Sequence, residues 1–243
     1  MLAVKQVPAS VLTLVLVLSA VGQHTPHSGF FSRTATCVWS RSDAVTIAAP
    51  DKTKAIEVTP ILNPKGDATT VVSVRAYGRK HITKIGAWVN AEAAWSPDSK
   101  AFFVTYSDGG NVGTYHVKIF YVEPSGLRAI EPIPNGRRLF PPTCFDNELP
   151  NVGAIRWGTG SARLVIAVEV PPHSSCASMG TFRAFEISLP AGQVLKRYGQ
   201  LQAKRMFSDS IGGELRKADD DCVRRPSTCI PNGMNVPAGA VQR

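Results

Sequence analysis

The chain has 243 residues, a formal net charge of +9 and five cysteines. This length suits one large all-β domain or two small domains, and it is enough to bury a core. The basic residues occur as isolated pairs such as Arg79-Lys80 and Lys204-Arg205, without aromatic residues interleaved between them. The pattern therefore does not indicate nucleic-acid binding. Attraction to an anionic envelope surface and simple solubility both stay open as its role.

The first 22 residues have the pattern of a secretory signal peptide. Lys5 precedes the apolar run Val11–Leu18, and the small residues Ala20 and Gly22 stand where a signal peptidase requires them if cleavage falls before Gln23. The run is shorter than the roughly 20 residues of a membrane-spanning helix. We therefore expect an exported protein, periplasmic or secreted, whose mature chain begins at Gln23.

Three strand-rich units follow in chain order. The first contains "APDKTKAIEV" and then the hairpin "TTVVSVRAYGRKHITKIG". The second contains "AWSPDSKAFFVTYSDGG" and then "TYHVKIFYVEPSGLRAIEP". The third contains "RWGTGSARLVIAVEV" and then "FRAFEISLPAGQVLKRYG". β-branched and aromatic runs bounded by Pro, Asp and Gly turns predict antiparallel hairpins in each unit.

The strand in the second unit carries aromatic residues on both of its faces. Side chains alternate with period two, which places Phe103 on one face and Phe102 and Tyr106 on the other. We therefore expect a central strand that is covered on both sides and pairs antiparallel with Tyr115–Val122. Trp95 is expected to pack against an adjacent sheet.

The sequence pattern of the second unit also recurs along the chain. Asp51 and Asp98 are 47 residues apart, and Trp95 and Trp157 are 62 residues apart. A period of about 40 to 60 residues with four strands per copy is typical of β-propeller blades. The stretch "WSPDSKAFFVTYSDGGN…YHVKIFYVEPSG" resembles the repeat of TolB-like β-propellers of the bacterial periplasm, although Ser99 stands where that family usually has glycine.

The resemblance implies a propeller-like protein, but only three copies are recognisable and a closed ring usually needs at least four. We therefore predict an all-β fold of antiparallel meanders that form an incomplete or irregular β-propeller, with a β-sandwich as the alternative. The predicted domain spans 23–199, with repeats at about 38–86, 87–132 and 153–199. A tail over 200–243 is predicted to hold a short helix, capped by Ser208 or Asp209 and broken at Gly212-Gly213, and to be irregular after Asp221.

The cysteines of an exported chain favour disulfides over metal sites. Sequence alone does not choose among the possible pairings. We prefer Cys222 with Cys229 across a turn-rich segment, and Cys144 with Cys176 in loops that flank one strand unit. No Cys-x-x-Cys is present, and His173 lacks further ligands at zinc spacing, so no metal is predicted.

No familiar catalytic arrangement stands out. "GTGSA" around Ser161 lacks the last glycine of a nucleophile elbow and is typical of a turn. The contiguous acids Asp219 to Asp221 lack the spacing of a calcium loop. We predict no cofactor. The resemblance extends to the propeller domains of prolyl-oligopeptidase-like hydrolases, but only 45 residues follow Tyr198, too few for their catalytic domain.

The leading hypothesis is an exported binding or scaffold protein that uses propeller-like loops to bind a protein or an envelope component. Peripheral contact with a membrane surface and self-association to complete the ring stay open, and nucleic acid is not an expected partner. The alternative is a hydrolase or lyase acting on a polysaccharide or peptide; clustering of Asp98, Asp108 and Asp146 in one cleft would favour it. The candidate surface comprises 107–111, 123–126 and 137–149, with the candidate binding residues Tyr106, Asp108, Asn111, Arg137, Arg138 and Phe140.

Overall fold

The computed structural model describes residues 29–39, 44–62, 68–87, 90–107, 113–133, 136, 139, 149–174, 176 and 178–224. The predicted signal peptide lies outside these residues. Within them, no helix has both the length and the apolar character that crossing a membrane requires.

The described residues are mostly strand. The strands are β1 (Thr36–Trp39), β2 (Val45–Ala48), β3 (Ala55–Leu62), β4 (Ala68–Ala76), β5 (Arg79–Ala87), β6 (Asn90–Trp95), β7 (Ala101–Ser107), β8 (Tyr115–Glu123), β9 (Gly126–Ile130), β10 (Asn151–Trp157), β11 (Arg163–Glu169), β12 (Phe182–Ser188) and β13 (Val194–Gly199). Three short helices follow: α1 (Gln200–Met206), α2 (Gly213–Lys217) and α3 (Asp220–Arg224).

The strands form three antiparallel sheets. Sheet 1 has the order β2-β3-β4-β5, sheet 2 the order β1-β6-β7-β8-β9, and sheet 3 the order β10-β11-β12-β13. Each sheet contains a four-strand meander, to which sheet 2 adds β1 as a fifth strand, so the predicted all-β meander fold is confirmed, and no closed barrel forms among the described strands. One assignment differs: Val38 was placed in the first repeat, but β1 pairs with β6 and extends sheet 2.

The three sheets stack face to face in chain order. The inward residues of sheet 1, such as Ile56 and Val74, pack against Phe102 on one face of sheet 2. The other face of sheet 2 packs through Phe103 against Ile166 of sheet 3. Every residue of β7 is buried, which confirms the prediction of a central strand covered on both sides. The predicted pairing of β7 with β8 is also present.

In each sheet, an equivalent turn connects the first two strands of the four-strand meander. In each turn a backbone N–H donates to the carbonyl oxygen five residues further on, at 2.8 to 2.9 Å: Ala49 to Lys54, Ser96 to Ala101, and Gly158 to Arg163. The third copy, which has the weakest sequence match, therefore closes its turn with the same backbone hydrogen bond, but its left-handed residue, Gly160, lies one position earlier than Lys52 and Ser99 in the other two turns. We call the end of the stack that holds these turns, residues 49–54, 96–101 and 158–163, the turn end.

A segment near the N-terminus crosses the far face of sheet 3. The ring of Phe31 is fully buried there, and a Cβ at Gly153 would come within 2.0 Å of it. The N–H of Gly212 donates to the Phe31 carbonyl, and Ser32 forms a β-bridge with Ile211. Residues 29–35 therefore hold the C-terminal helices against sheet 3.

The C-terminal helices differ in detail from the prediction. The break falls near Gly212-Gly213 as expected, but neither Ser208 nor Asp209 caps a helix. The N-cap positions of α1 and α2 are Gly199 and Gly212, which make no side-chain cap hydrogen bond. The chain is also helical beyond Asp221, since α3 continues to Arg224.

Candidate functional site

Of the predicted binding residues, Tyr106 is the one that the structure describes. Its side chain is only 8% exposed and belongs to the core between sheets 1 and 2. Its ring centroid lies 5.6 Å from that of His116 and 5.4 Å from Nζ of Lys118. The ring therefore presents little surface to a partner. The other candidates, Asp108, Asn111, Arg137, Arg138 and Phe140, lie outside the described residues.

The predicted loop surface does not form one continuous patch. Ser107 pairs with Tyr115 at one end of β8, whereas Glu123 pairs with Gly126 at the other. The nine residues of β8 separate these ends by about 26 Å. The turn over 123–126 therefore belongs to the turn end. The prediction that this turn and Ser107 lie on one surface is wrong.

The predicted cysteine pairings stay predictions. Cys176 is buried, and its N–H donates to Oγ of Ser174. Cys144, Cys229 and the side chain of Cys222 lie outside what the structure describes. Cys37 is a buried free thiol, and burial, together with the nearby Glu92, raises its pKa to about 12.

The turn end contains Asp98, one of the three acids whose clustering in one cleft would favour the enzymatic alternative. Its carboxylate accepts hydrogen bonds from Oγ of Ser96 at 2.7 Å and from Oγ of Ser161 at 2.9 Å. Partial burial acts to raise its pKa, but these bonds and the Lys100 N–H lower it overall. Asp98 therefore connects the turns of sheets 2 and 3, while Asp108 and Asp146 lie outside the described residues.

Ser99 occupies the position where the resembled family has glycine, and it adopts a left-handed conformation with φ 56°. Lys52, at the equivalent position of the first turn, has φ 60°. Both turns thus keep the conformation that glycine adopts most easily. The Ser99 hydroxyl also accepts a hydrogen bond from the Asp51 N–H at 3.0 Å, which joins the turns of sheets 1 and 2.

Two carboxyl groups are buried away from the turn end. Glu92 on β6 accepts hydrogen bonds from the N–H groups of Phe31 at 3.3 Å and Ser32 at 3.1 Å. Burial raises its pKa to about 8, although those backbone N–H groups act in the opposite direction. Glu92 thus attaches the N-terminal segment to sheet 2. The sequence signal that marks it is an acid inside the otherwise apolar "AEAAW" (Ala91 to Trp95).

The second buried carboxyl belongs to Glu169 on β11. It accepts a hydrogen bond from Nδ2 of Asn151 at 3.0 Å, and Oδ1 of Asn151 accepts one from the Tyr115 N–H at 3.1 Å. Burial raises the pKa of Glu169 to about 8. These contacts connect sheets 2 and 3. Both acids serve contacts between elements, and in the described residues neither borders a metal-binding group of side chains.

The outer face of sheet 1 differs from the other sheet faces. The far side of sheet 3 is covered by residues 29–35 and the helices, and both sides of sheet 2 are covered. On sheet 1, β2 alternates between half-buried and exposed residues, and Ile61 and Ile82 are 48% and 64% exposed. Among the described residues, no layer covers this face.

Basic residues gather where the outer face meets the turn end. The group comprises Lys52, Lys54, Arg75, Arg79 and Lys80, and we call it the basic edge. The stretches 50–57 and 75–80 that carry it contain only two acids, Asp51 and Glu57. Tyr77, at the tip of the β4–β5 hairpin, is 53% exposed, and Nζ of Lys54 lies 5.8 Å from its ring centroid. Folding thus concentrates cations that the sequence shows as scattered.

Comparisons with protein-family models, with curated proteins and with solved structures found no match. The class that the structure defines is an all-β protein of three stacked antiparallel sheets. The resemblance to TolB-like repeats stays a prediction.

Proposed function

We propose that this chain is an exported, non-catalytic binding or scaffold protein that binds a protein or an envelope component of a bacterial cell. The observation that carries the proposal is the uncovered outer face of sheet 1. Sheets of this kind normally bury one face and expose polar residues on the other. Here the exposed face carries the large aliphatic side chains of Ile61 and Ile82 together with the charged Glu57 and Lys80, so it offers a partner both apolar and polar contacts.

The rest of the stack supports a scaffold role. Indole and turn hydrogen bonds connect the sheets, and a packed core lies between each neighbouring pair. Such a stack would hold the face rigid, so little conformational entropy would be lost on binding. The alternative of a hydrolase or lyase is not favoured by any feature of the described residues.

The experiment is affinity capture from an envelope extract of the producing cell, followed by rebinding of each captured component in purified form. The wild-type protein is compared with Ile61→Ser/Ile82→Ser, which removes the aliphatic side chains of the outer face. The matched control is Leu195→Ser/Met206→Ser, because these side chains are similarly exposed on β13 and α1.

We expect a component that rebinds the wild-type and control proteins and not the face variant. A component that rebinds all three equally, or the absence of any protein or lipid that rebinds, would contradict the proposal. The mass of the purified protein in solution is measured in parallel. A dimer that the face variant abolishes would identify a second copy as the occupant of the face.

A further inference from the structure

The hairpin tip at the basic edge combines two locally unfavourable features. Tyr77 has φ 52° and precedes Gly78 with φ 71°, a two-residue turn that asparagine, aspartate or glycine normally begins. A bulky side chain in this left-handed region is strained. The strain therefore needs a reason beyond the stability of the hairpin.

The second unfavourable feature is a like-charge pair. Arg75 on β4 lies directly opposite Lys80 on β5, an arrangement that weakens strand pairing. Lys80 is compensated, because its Nζ lies 3.1 Å from Oε2 of Glu57. Arg75 and Arg79 are exposed and form no ion pair with a described residue, although the charge of Arg75 helps Lys80 to lower the pKa of Glu57. Arg75 lies on the outer face and Arg79, opposite Ala76, on the other face, so the hairpin tip presents exposed cations to an anionic partner on both sides of the strained tyrosine.

The apolar side chains beside these cations indicate which class of anionic partner this edge can bind. Ile82 shares the outer face with Lys80, two residues along β5, and is 64% exposed. An exposed tyrosine, an exposed aliphatic side chain and several cations on one edge suit the interface of a bilayer, where aromatic rings sit at the level of the headgroups. The cations are spread along two strands and a turn instead of converging on one point, as a site for free phosphate would require.

We infer that the basic edge, with Tyr77 at its tip, docks the protein on a membrane surface that carries anionic phospholipid headgroups. Arg75 and Arg79 contact the phosphate groups, and Tyr77 and Ile82 enter the headgroup region. The inference rests on the proposed function, since it names one envelope component that the exposed surface of sheet 1 binds.

The test is co-sedimentation of the purified protein with phosphatidylcholine vesicles prepared with and without phosphatidylglycerol. We expect binding only to the anionic vesicles, and we expect it to weaken as salt is added, because these charges are exposed. Removing two cations in Arg75→Gln/Arg79→Gln is expected to weaken binding about 30-fold, from about fivefold for each charge near the surface. The matched control, Arg205→Gln/Lys217→Gln, removes two exposed charges from α1 and α2 and is expected to bind nearly as well as the wild type.

The variant Tyr77→Asn tests whether Tyr77 contributes to vesicle binding or only to the stability of the fold. Asparagine adopts the left-handed conformation more easily than tyrosine, so this variant is expected to melt at the same or a higher temperature while it binds the vesicles several-fold more weakly. Loss of binding without loss of stability would not be expected if Tyr77 served only the fold.

Four results would overturn the inference: no binding to anionic vesicles, equal binding to neutral vesicles, equal weakening in the control variant, or complete competition by millimolar inorganic phosphate. The last would indicate a compact phosphate site. Envelope capture that depends on Ile61 and Ile82, together with failed vesicle binding, would overturn this inference and leave the proposed function standing. Vesicle binding without any captured and rebinding protein would identify the lipid as the envelope component.

Discussion

The indole Nε1 of Trp157 donates a hydrogen bond to the carbonyl oxygen of Ala94, 3.1 Å away in the neighbouring sheet. The same bond occurs one sheet earlier, where Nε1 of Trp95 donates to the carbonyl oxygen of Ile47 at 2.9 Å. Each tryptophan thus stands at the end of the first meander strand of its sheet and bonds to the equivalent strand of the sheet before it. This repetition confirms that Trp95 packs against an adjacent sheet.

Replacing either tryptophan by phenylalanine removes the bond and leaves a carbonyl oxygen unpaired between two sheets. We expect Trp95→Phe and Trp157→Phe each to lower the free energy of unfolding by about 1 to 3 kcal/mol. Urea denaturation measures the change, with Leu195→Ala on the exposed side of β13 as the control. Values for the tryptophan variants that match the control would contradict the role of these bonds.

Phe103 occupies the core between sheets 2 and 3 and is fully buried. Phe103→Ala should create a cavity and cost about 3 to 5 kcal/mol. Ile82→Ala, on the exposed outer face of sheet 1, should change stability by less than about 0.5 kcal/mol. Thermal denaturation of the two variants provides the comparison, and an unchanged melting temperature for Phe103→Ala would argue against the stacked-sheet core.

Stability should depend on pH through the two buried acids. Burial raises the folded-state pKa of both Glu92 and Glu169 to about 8, above the unfolded value of about 4.3. The folded protein then binds more protons than the unfolded chain between these values, so stability falls as the pH rises from about 4.3 to about 8. Nearby Cys37 and Tyr115 have pKa values of about 12 and do not titrate in this window.

Melting temperatures measured from pH 5 to pH 8 test this dependence. We expect a decline across the window for the wild type and a shallower decline for Glu92→Gln and for Glu169→Gln. Glu123→Gln, which alters an exposed acid paired with Arg128, should keep the wild-type slope. A wild-type curve that rises with pH would show that these carboxyl groups are charged in the folded protein.

The cysteines should differ in reactivity. Cys37 is a buried free thiol whose pKa is raised to about 12, so it should react with iodoacetamide at pH 8 only after unfolding. Peptide mapping under non-reducing conditions should find Cys144 joined to Cys176, and loss of that bridge should cost about 2 to 4 kcal/mol. Recovery of Cys176 in a bridge with any other cysteine would refute the predicted pairing.

Export should remove the predicted signal peptide. The residues around "SAVGQ" predict cleavage before Gln23. N-terminal sequencing of the protein recovered from outside the cytoplasm should begin at Gln23. A retained Met1 would refute cleavage, and a protein that stays in the cytoplasm would also remove the basis for the expected disulfides.

The sequence by itself was enough to determine the hairpin strands of the three units, the turns of the first two and the burial of β7. These features depend on local rules: alternation with period two, and turn residues such as Pro97 and Gly78 at fixed positions. The recurrence of Pro-Asp at Pro50-Asp51 and Pro97-Asp98 also anticipated that the first two turns are equivalent. The weak third copy was harder to recognise, because its turn is closed by the same backbone hydrogen bond with different side chains.

Only the tertiary structure decided how distant segments meet. It assigned β1 to sheet 2, because strand pairing between distant residues, such as Thr36 with Ala93 and Trp39 with Asn90, leaves no local signature. It placed Ser107, opposite Tyr115, and Glu123 at opposite ends of β8, and it brought Nζ of Lys54 to 5.8 Å from the ring centroid of Tyr77. It buried Glu92 beneath residues 29–35, where backbone N–H groups satisfy the carboxyl group. Burial, charge concentration and exposed faces are properties of the packed sheets, so neighbouring residues along the chain do not reveal them.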